Sequence, residues 1–174
     1  AVPAAHHRMK VEILPLSAYW VKGAVALQSA CFPPPFPPEL LWRDDHLLRH
    51  LDVFPEGQFV AVCGGQVVGS ASSMRVSPSA WLAPHTWDEL TGGLHLTRHD
   101  PSGSLLYGVD ISVHPDFRGR GIARMLYQAR FSLVKTLSLE GFVTICRLPG
   151  FSASGLASVE DYAASVVRGE ITDP

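Results

Sequence analysis

The chain has 174 residues, of which 47% are hydrophobic and 17% are charged. Single hydrophobic cores commonly span about 100 to 200 residues, so we expect one domain over residues 1–174 and no global disorder. Fourteen basic and sixteen acidic residues give a formal net charge of −2, which provides no broad positive field for nucleic acid or an anionic membrane.

The first half of the chain alternates strand and helix patterns. Residues 1–8 are an expression tag or a native extension, and β-branched residues predict a strand over 10–16. Apolar residues at helical spacing predict helices over 18–30 and 39–51, separated by the proline-rich residues 32–38. We expect the second helix to bury a leucine stripe consisting of Leu40, Leu41, Leu47, Leu48 and Leu51.

A hairpin and an irregular segment follow. The β-rich segments 58–63 and 66–74 flank Gly64 and Gly65, a dipeptide that suits the positive φ angles of a tight turn. Residues 75–103 are rich in Ser, Pro, Gly, Trp and His, and we expect them to form a long excursion near a site.

The second half predicts a strand over 104–113, a helix over 119–138, a strand over 142–147 and a helix over 158–168. The order of elements is therefore β, α, α, β, β, β, α, β, α. One mixed α/β layer structure is the simplest fold that accounts for this order.

Cysteine spacing and apolar run lengths bear on the setting of the protein. Cys31, Cys63 and Cys146 lie far apart, without metal-ligand spacing, and are expected to be free thiols. No stretch approaches the roughly 20 apolar residues that span a bilayer. We therefore predict no membrane association and a reducing, cytoplasmic setting.

The segment that joins the predicted strand 104–113 to the next helix carries the clearest chemistry. Pro115 ends strand pairing, and Gly119 and Gly121 let the backbone turn tightly and approach a ligand. The first amides of a helix lack intrahelical acceptors and lie at the positive end of the helix dipole. The loop is therefore suited to bind an anion.

Three arginines would add positive charge at this loop: Arg118, Arg120 and Arg124. A pyrophosphate fits this chemistry best. The Gly-Lys-Ser/Thr ending of a P-loop and the three spaced glycines of a dinucleotide fingerprint are both missing, which excludes those two phosphate sites. The helix is expected to bury one apolar face, consisting of Ile122, Met125, Leu126 and Phe131.

The loop resembles the hallmark of the GNAT superfamily of N-acetyltransferases, Arg/Gln-x-x-Gly-x-Gly/Ala, which stands here as Arg118, Gly121 and Ala123. The preceding residues 113–117 and the order of elements over residues 10–151 are also similar. The resemblance implies a GNAT-like fold, in which helices flank a central mixed, mostly antiparallel sheet. It also implies acetyl-CoA as the acyl donor.

In the GNAT superfamily acetyl-CoA lies where the fourth and fifth strands splay apart. Its pantetheine would pair with the backbone of Ile111, Ser112 and Val113. Its pyrophosphate would lie on the backbone of the loop, at Arg118, Gly119, Arg120, Gly121, Ile122 and Ala123.

The resemblance further implies direct attack of a neutral amine on the thioester. The amide of Val113 would stabilise the oxyanion. Asp110 is the candidate base, with a capping or ion-paired role as the alternative, and His114 is a second titratable group nearby. Tyr162 lies in a helix like the one that supplies the thiolate acid in the family, with helix packing as the alternative.

Three histidines in the irregular segment, His85, His95 and His99, could line an acceptor pocket or hold a metal. Their spacing is irregular, and we predict no metal site. Tyr107 is expected to be a core aromatic residue.

The family's C-terminal hairpin, which completes its sheet, has no counterpart before Pro174. The expectation is that the chain is truncated or that a second copy completes the sheet, so a homodimer is predicted.

A looser likeness concerns acetyltransferase modules that occur beside carbon-nitrogen hydrolase domains. It rests on five short segments: His85-Thr86-Trp87, His99-Asp100, Leu106-Tyr107-Gly108, Arg147-Leu148-Pro149-Gly150-Phe151 and Arg168-Gly169-Glu170.

The sequence thus predicts an N-acetyltransferase that acts on an amine of a small molecule or a protein. The alternative is an acyl-CoA-binding regulatory module without catalytic activity. Nucleic-acid binding is disfavoured by the charge balance.

Overall fold

The computed structural model describes residues 10–173, which form two compact units over residues 10–144 and 145–173. The strands of the larger unit are β1 (Val11–Pro15), β2 (Phe59–Cys63), β3 (Gln66–Val76), β4 (Leu105–Val113) and β5 (Gly141–Thr144). Its α-helices are α1 (Val21–Cys31), α2 (Asp44–Val53), α3 (Pro78–Leu82), α4 (Trp87–Thr91) and α5 (Ile122–Thr136). The smaller unit contains α6 (Val159–Val167).

The five strands form one sheet in the order β1-β2-β3-β4-β5. The first three pairings are antiparallel, and only β4 and β5 run parallel, because α5 provides the crossover between them. The prediction of a mixed, mostly antiparallel sheet flanked by helices is confirmed.

Both faces of the sheet are covered by helices, and alternate residues of β2 show how. Val60 and Val62 belong to a hydrophobic cluster with α1 and α2 on one face. Ala61 and Cys63 belong to a second cluster with α5 on the other face. The sheet is therefore the middle layer of the larger unit, and its two faces carry different helices.

The second helix differs from its prediction. Residues Pro38–Leu40 form a separate 3-10 turn, and α2 begins at Asp44, where the Arg43 amide donates to His46 Nδ1 at 3.2 Å. Leu40 therefore lies outside α2 and is 52% exposed, and Leu48 within α2 is 44% exposed. The buried side chains of α2 are His46, Leu47 and His50, so Leu47 of the predicted stripe is buried as expected. Leu51 of the stripe is partly buried against the larger hydrophobic cluster.

The excursion over residues 75–103 is more regular than predicted, because it contains α3 and α4. Each helix is capped by a local side chain: Ser77 accepts from the Ala80 amide, and Thr86 and Glu89 form a capping box. Trp81 and Trp87 pack against the larger hydrophobic cluster. The segment thus forms part of the core.

The buried face of α5 also departs from the predicted apolar set. Ile122 and Leu126 are buried as expected, but Phe131 is 47% exposed. Arg130, four residues after Leu126, takes the next buried position and is 1% exposed. The sequence pattern missed this residue because arginine is seldom fully buried.

No helix within residues 10–173 combines the length and the apolar surface that a transmembrane helix requires.

Candidate functional site

A tight loop joins β4 to α5 at one end of the sheet. It contains one 3-10 turn, Pro115–Phe117, followed by Gly119 with φ +72° and Gly121 with φ +79°. A Cβ atom at either glycine would meet nothing within 4 Å. The two glycines are therefore required by the backbone conformation, and they leave the surface of the loop open.

The loop presents a run of free backbone donors. Within the described part of the chain, none of the amides of residues 119–124 donates to a backbone or side-chain acceptor. The amide of Met125 is the first that does so, to the Gly121 carbonyl at 3.1 Å. Because the helix dipole places partial positive charge at the same end, this stretch is suited to bind an anionic group.

Two of the three arginines are held in place beside the loop. Arg118 Nε donates to the Val113 carbonyl at 3.2 Å, and Arg120 Nη2 donates to the Asp116 carbonyl at 3.1 Å. The Arg120 guanidinium also lies 4.8 Å from the centre of the Phe117 ring. Backbone contacts thus fix positive charge next to the free amides.

The strands β4 and β5 separate beside this loop. β5 pairs only with residues 105–108 of β4, and the pairing ends at Gly108. A Cβ atom at Gly108 would lie 2.6 Å from Phe142 Cζ, so the ring of Phe142 packs over this glycine. Beyond Gly108, residues 109–113 have no strand partner on this side within the described residues.

The pairing pattern of β4 shows which backbone groups face this open edge. The His114 amide donates to the Val68 carbonyl at 2.9 Å, which makes these two residues a hydrogen-bonded pair. Pairs alternate along an antiparallel ladder, so Val113 and Ile111 point their amides and carbonyls away from β3. Consistently, the Val113 carbonyl accepts from Arg118 and, at 3.4 Å, from Cys31 Sγ.

Asp110 lies on β4 at the start of this edge, on the face covered by α1. Its Oδ2 atom accepts from Gln28 Nε2 at 3.0 Å, from Ser112 Oγ at 3.2 Å and from Trp42 Nε1 at 3.4 Å. Gln28 Nε2 also donates to Ser112 Oγ at 3.0 Å. Three donors converge on one oxygen, whereas no described residue donates to Oδ1 by hydrogen bond.

The surroundings of Asp110 act on its pKa in opposite directions. Burial raises the pKa above the ordinary aspartate value, because it penalises the charged form. The hydrogen bonds from Trp42, Ser112 and Gln28, together with the charge of Arg130, oppose this effect. The net direction is upward, which suits a group that exchanges a proton.

The loop residues Arg118 to Ala123 and the edge residues Ile111 and Val113 thus lie where the sequence placed them. Ser112 directs its side chain to Asp110, and its main chain pairs with Ser70 of β3, so it does not face the open edge as predicted. Sequence reasoning missed Gln28 and Trp42. The only signal for Gln28 was its polar side chain on the buried side of a helical pattern, and Trp42 appeared only as an isolated tryptophan.

The three histidines of the excursion do not come together. His85 Nδ1 lies 2.6 Å from the Ala83 carbonyl, and His99 Nδ1 accepts from the Arg75 amide at 3.1 Å. His95 Nε2 lies 3.0 Å from Asp45 Oδ2. Neither a shared pocket nor a shared metal site is formed by these three residues.

Asp45, His46 and His95 do place three ligand atoms within 4.8 Å of one another. However, His46 Nδ1 accepts the Arg43 amide, so the proton of neutral His46 lies on Nε2, the atom that faces the cluster. Arg43 also pairs with Asp45 at 3.0 Å and lowers the pKa of that carboxyl to about 2. A protonated ring nitrogen and a neighbouring guanidinium both disfavour a cation here.

Tyr162 lies on α6 in the smaller unit. Its hydroxyl donates to Asp173 Oδ1 at 2.7 Å, and its ring lies 5.7 Å from that of Phe151. The contact with Asp173 raises the pKa of Tyr162. Both contacts are local to residues 145–173, and the role of Tyr162 as an acid stays a prediction.

The sequence profile of the acetyltransferase (GNAT) family matches residues 21–153, which include the loop and the β4 edge. The chain belongs to this family. The mixed sheet flanked by helices agrees with the fold of its solved GNAT relatives.

Two curated proteins of Bacillus subtilis (strain 168) are similar to this GNAT chain. The uncharacterized N-acetyltransferase YkwB is 35% identical over 174 residues, a match that covers 97% of this chain and 76% of YkwB. The probable hydrolase YhcX is 35% identical over 151 residues, which cover 86% of this chain and 29% of YhcX. The second match agrees with the likeness to modules beside hydrolase domains.

Among solved structures, the GphF GNAT-like decarboxylase in complex with isobutyryl-CoA has a TM-score of 0.71 and 26% identity, covering 88% of this chain and 76% of GphF. A GNAT family acetyltransferase from Brucella melitensis in complex with acetyl-CoA has a TM-score of 0.55 and 16% identity. That match covers 86% of this chain and 84% of the Brucella protein, and it shows the shared fold.

Proposed function

We propose that this GNAT chain is an N-acetyltransferase that transfers the acetyl group of acetyl-CoA to an amine of a small molecule or a protein. The observation that carries the proposal is the run of free amides at residues 119–124 beside the open edge of β4. The name of YkwB, an N-acetyltransferase, supports the same activity.

The two parts of this surface suit the two ends of the donor. The free amides and the side chain of Arg118 would hold the pyrophosphate, because both offer hydrogen-bond donors at a site of positive potential. The backbone of Ile111 and Val113 would pair with the amide groups of the pantetheine, as a further strand would. GphF, which is 26% identical, was solved with an acyl-CoA.

Asp110 is the proposed base. With Oδ2 occupied by three donors, Oδ1 is the oxygen that can accept a proton from the amine. A raised pKa brings the pKa of the carboxyl closer to neutral pH, where a general base is most effective. His114 instead accepts the Asp116 amide at 3.2 Å and caps the turn that leads into the loop.

The remaining steps need an oxyanion donor and a proton donor. The acyl-CoA supplies the thioester carbonyl. The amide of Val113, directed away from β3, would donate to the oxygen on which charge develops. Tyr162 is the proposed proton donor to the departing thiolate. None of the three cysteines forms a disulfide, which supports a reducing, cytoplasmic setting.

The proposal is tested by two measurements on the whole chain. Calorimetric titration with acetyl-CoA measures donor binding, and release of free thiol in the presence of a panel of amines measures transfer. We expect saturable binding and thiol release that depends on at least one amine. Binding without release in any amine would instead support a regulatory acyl-CoA-binding module.

A third measurement separates transfer from the activity named for GphF. Malonyl-CoA carries a carboxylate that acetyl-CoA lacks, and the carboxylate of Asp110 would repel it. We therefore expect no release of carbon dioxide from malonyl-CoA. Rapid carbon dioxide release, with no amine-dependent thiol release from acetyl-CoA, would contradict the proposed function.

A further inference from the structure

The separation of β4 from β5 begins at an irregularity in β4. Ser72 of β3 pairs with Asp110, whereas the next residue, Ser73, pairs with Gly108. Val109 is therefore an extra residue in β4, which is the arrangement of a β-bulge. A bulge bends its strand and increases the local twist, so β4 leaves the line of β5 at this point.

A single side chain of α5 contacts the strands around this bulge. Arg130 Nη2 donates to the Ser72 carbonyl at 2.7 Å and to the Asp110 carbonyl, and Arg130 Nε donates to Ser73 Oγ at 3.1 Å. The guanidinium carbon lies 5.5 Å from the centre of the Phe142 ring on β5. Arg130 therefore touches β3, β4 and β5 where the sheet opens.

The burial of Arg130 gives these contacts their significance. The residue is 1% exposed, and burying a guanidinium costs free energy unless its N–H groups find acceptors. An aliphatic residue would fill the same helix position without that cost. The planar guanidinium offers several donors in a fixed geometry, which can bridge two carbonyls and a hydroxyl together.

We propose that Arg130 is a positioning residue of this acyl-transfer site: from α5 it holds the β4 bulge, and so keeps residues 111–113 at the open edge. The inference rests on the proposed function, because it assigns Arg130 to the same donor site. The residue links that edge to the helix whose first amides form the loop. It acts through the strands that it holds and is a positioning residue, not a catalytic one.

Arg130 also contributes charge near Asp110. The titratable or charged groups that act on Asp110 are Arg130 from α5 and Cys31 from α1, and the other donors around it are the neutral Gln28, Trp42 and Ser112. Loss of the guanidinium charge should raise the pKa of Asp110, because the carboxylate loses a favourable neighbour.

Two substitutions separate geometry from charge. Arg130→Lys keeps a positive charge but cannot bridge the two carbonyls and the hydroxyl, and Arg130→Met removes both. We expect each to weaken acetyl-CoA binding by at least about tenfold, the effect of losing a charge-assisted hydrogen bond. Arg130→Met should raise the pKa of Asp110, and Arg130→Lys should leave it closer to that of the wild type.

The measurements are calorimetric titration with acetyl-CoA and carbon-13 NMR titration of the aspartate carboxyl groups, with the Asp110 signal assigned from Asp110→Asn. Ser73→Ala is the milder variant, which removes one acceptor and should weaken acetyl-CoA binding about threefold. If Arg130→Met does not fold, Arg130→Lys and Ser73→Ala decide the question.

The result that overturns the inference is distinct from failure of the proposed function. If Arg130→Lys and Ser73→Ala lower the unfolding temperature but bind acetyl-CoA as the wild type does, Arg130 has only a structural role. If the wild type itself does not bind acetyl-CoA, the proposed function is wrong. In that case Arg130 positions no donor site, and the inference is wrong as well. A raised pKa of Asp110 in Arg130→Met would then show only that the charge of Arg130 acts on Asp110.

Discussion

The loop after β4 and the surroundings of Asp110 are built in opposite ways. The loop owes its donors to six consecutive backbone amides, residues 119–124, and to the local conformation of two glycines. The surroundings of Asp110 are assembled from side chains at positions 28, 42 and 112, which three separate segments contribute.

Because the two regions are built differently, they should tolerate different substitutions. Backbone amides cannot be removed by ordinary side-chain substitutions, so the loop should be damaged only by changes in conformation or charge at the loop itself. The acidity of Asp110 depends on partners far apart in the sequence. The pKa of Asp110 should therefore respond to substitutions and to changes in protonation elsewhere in the larger unit.

The largest effect is expected at Asp110. Asp110→Asn should lower kcat by roughly 100-fold or more, the usual contribution of a general base, and leave acetyl-CoA affinity within about threefold. Steady-state kinetics with an amine from the panel and calorimetry provide the two values. Asp52→Asn, at an exposed position of α2, is the matched control. An unchanged kcat would assign Asp110 a structural role.

Charge at the loop should have the next largest effect. Gly121→Glu places a carboxylate beside the free amides at a positive φ angle, and should weaken acetyl-CoA binding by about 100-fold, the effect of losing charge-assisted contacts. Gly121→Gln has the same size and the same backbone strain without the charge, so it should lose less. Equal affinities of the wild type and Gly121→Glu, measured by calorimetry, would remove the loop from the donor site.

The residues that pack behind Asp110, Trp42 and His50, should make the stability of the protein depend on pH. Trp42, which donates to Asp110, packs against the ring of buried His50 with centroids 4.9 Å apart, and burial lowers the pKa of His50 to about 4. The unfolded state, with a histidine pKa of about 6.5, binds more protons between these values. Stability is therefore present above this window and is lost as the pH falls through it.

His50→Gln should reduce this loss, because glutamine can still donate to the Leu94 carbonyl but does not titrate. Between pH 7 and pH 5 the contribution of His50 should be about 2 kcal/mol in the free energy of unfolding. His46 and His99 also have lowered pKa values, so some dependence should remain. Urea unfolding at the two pH values, with His85→Gln as a control outside α2, tests this. Identical losses in wild type and His50→Gln would contradict it.

The smallest effect is expected at Arg124. This exposed residue lies in the first turn of α5, and surface charges of this kind contribute little. Arg124→Ala should weaken acetyl-CoA binding about two- to fivefold, with the difference shrinking at high salt. Lys135→Ala, in the last turn of the same helix, is the control. A loss as large as that of Gly121→Glu would show that side-chain charge, rather than backbone amides, dominates the loop.

Much of the fold followed from local patterns. The hairpin at Gly64 and Gly65, where both φ angles are positive, and the strand that leads into the loop were predicted from turn chemistry and β-branched runs. The start of α2 was not, because a backbone amide capped by His46 outweighed the leucine spacing. The helices of the excursion were missed because each is only five residues long.

The sequence by itself determined the loop and the family, because a run of free amides at the start of a helix is encoded by consecutive residues. Only the tertiary structure decided the surroundings of Asp110 and the position of Arg130. Arg130 meets Ser73 and Ser72 across 57 and 58 residues of sequence, and Gln28 meets Asp110 across 82. Hydrogen bonds over such separations depend on how helices pack on the sheet, which no local pattern specifies.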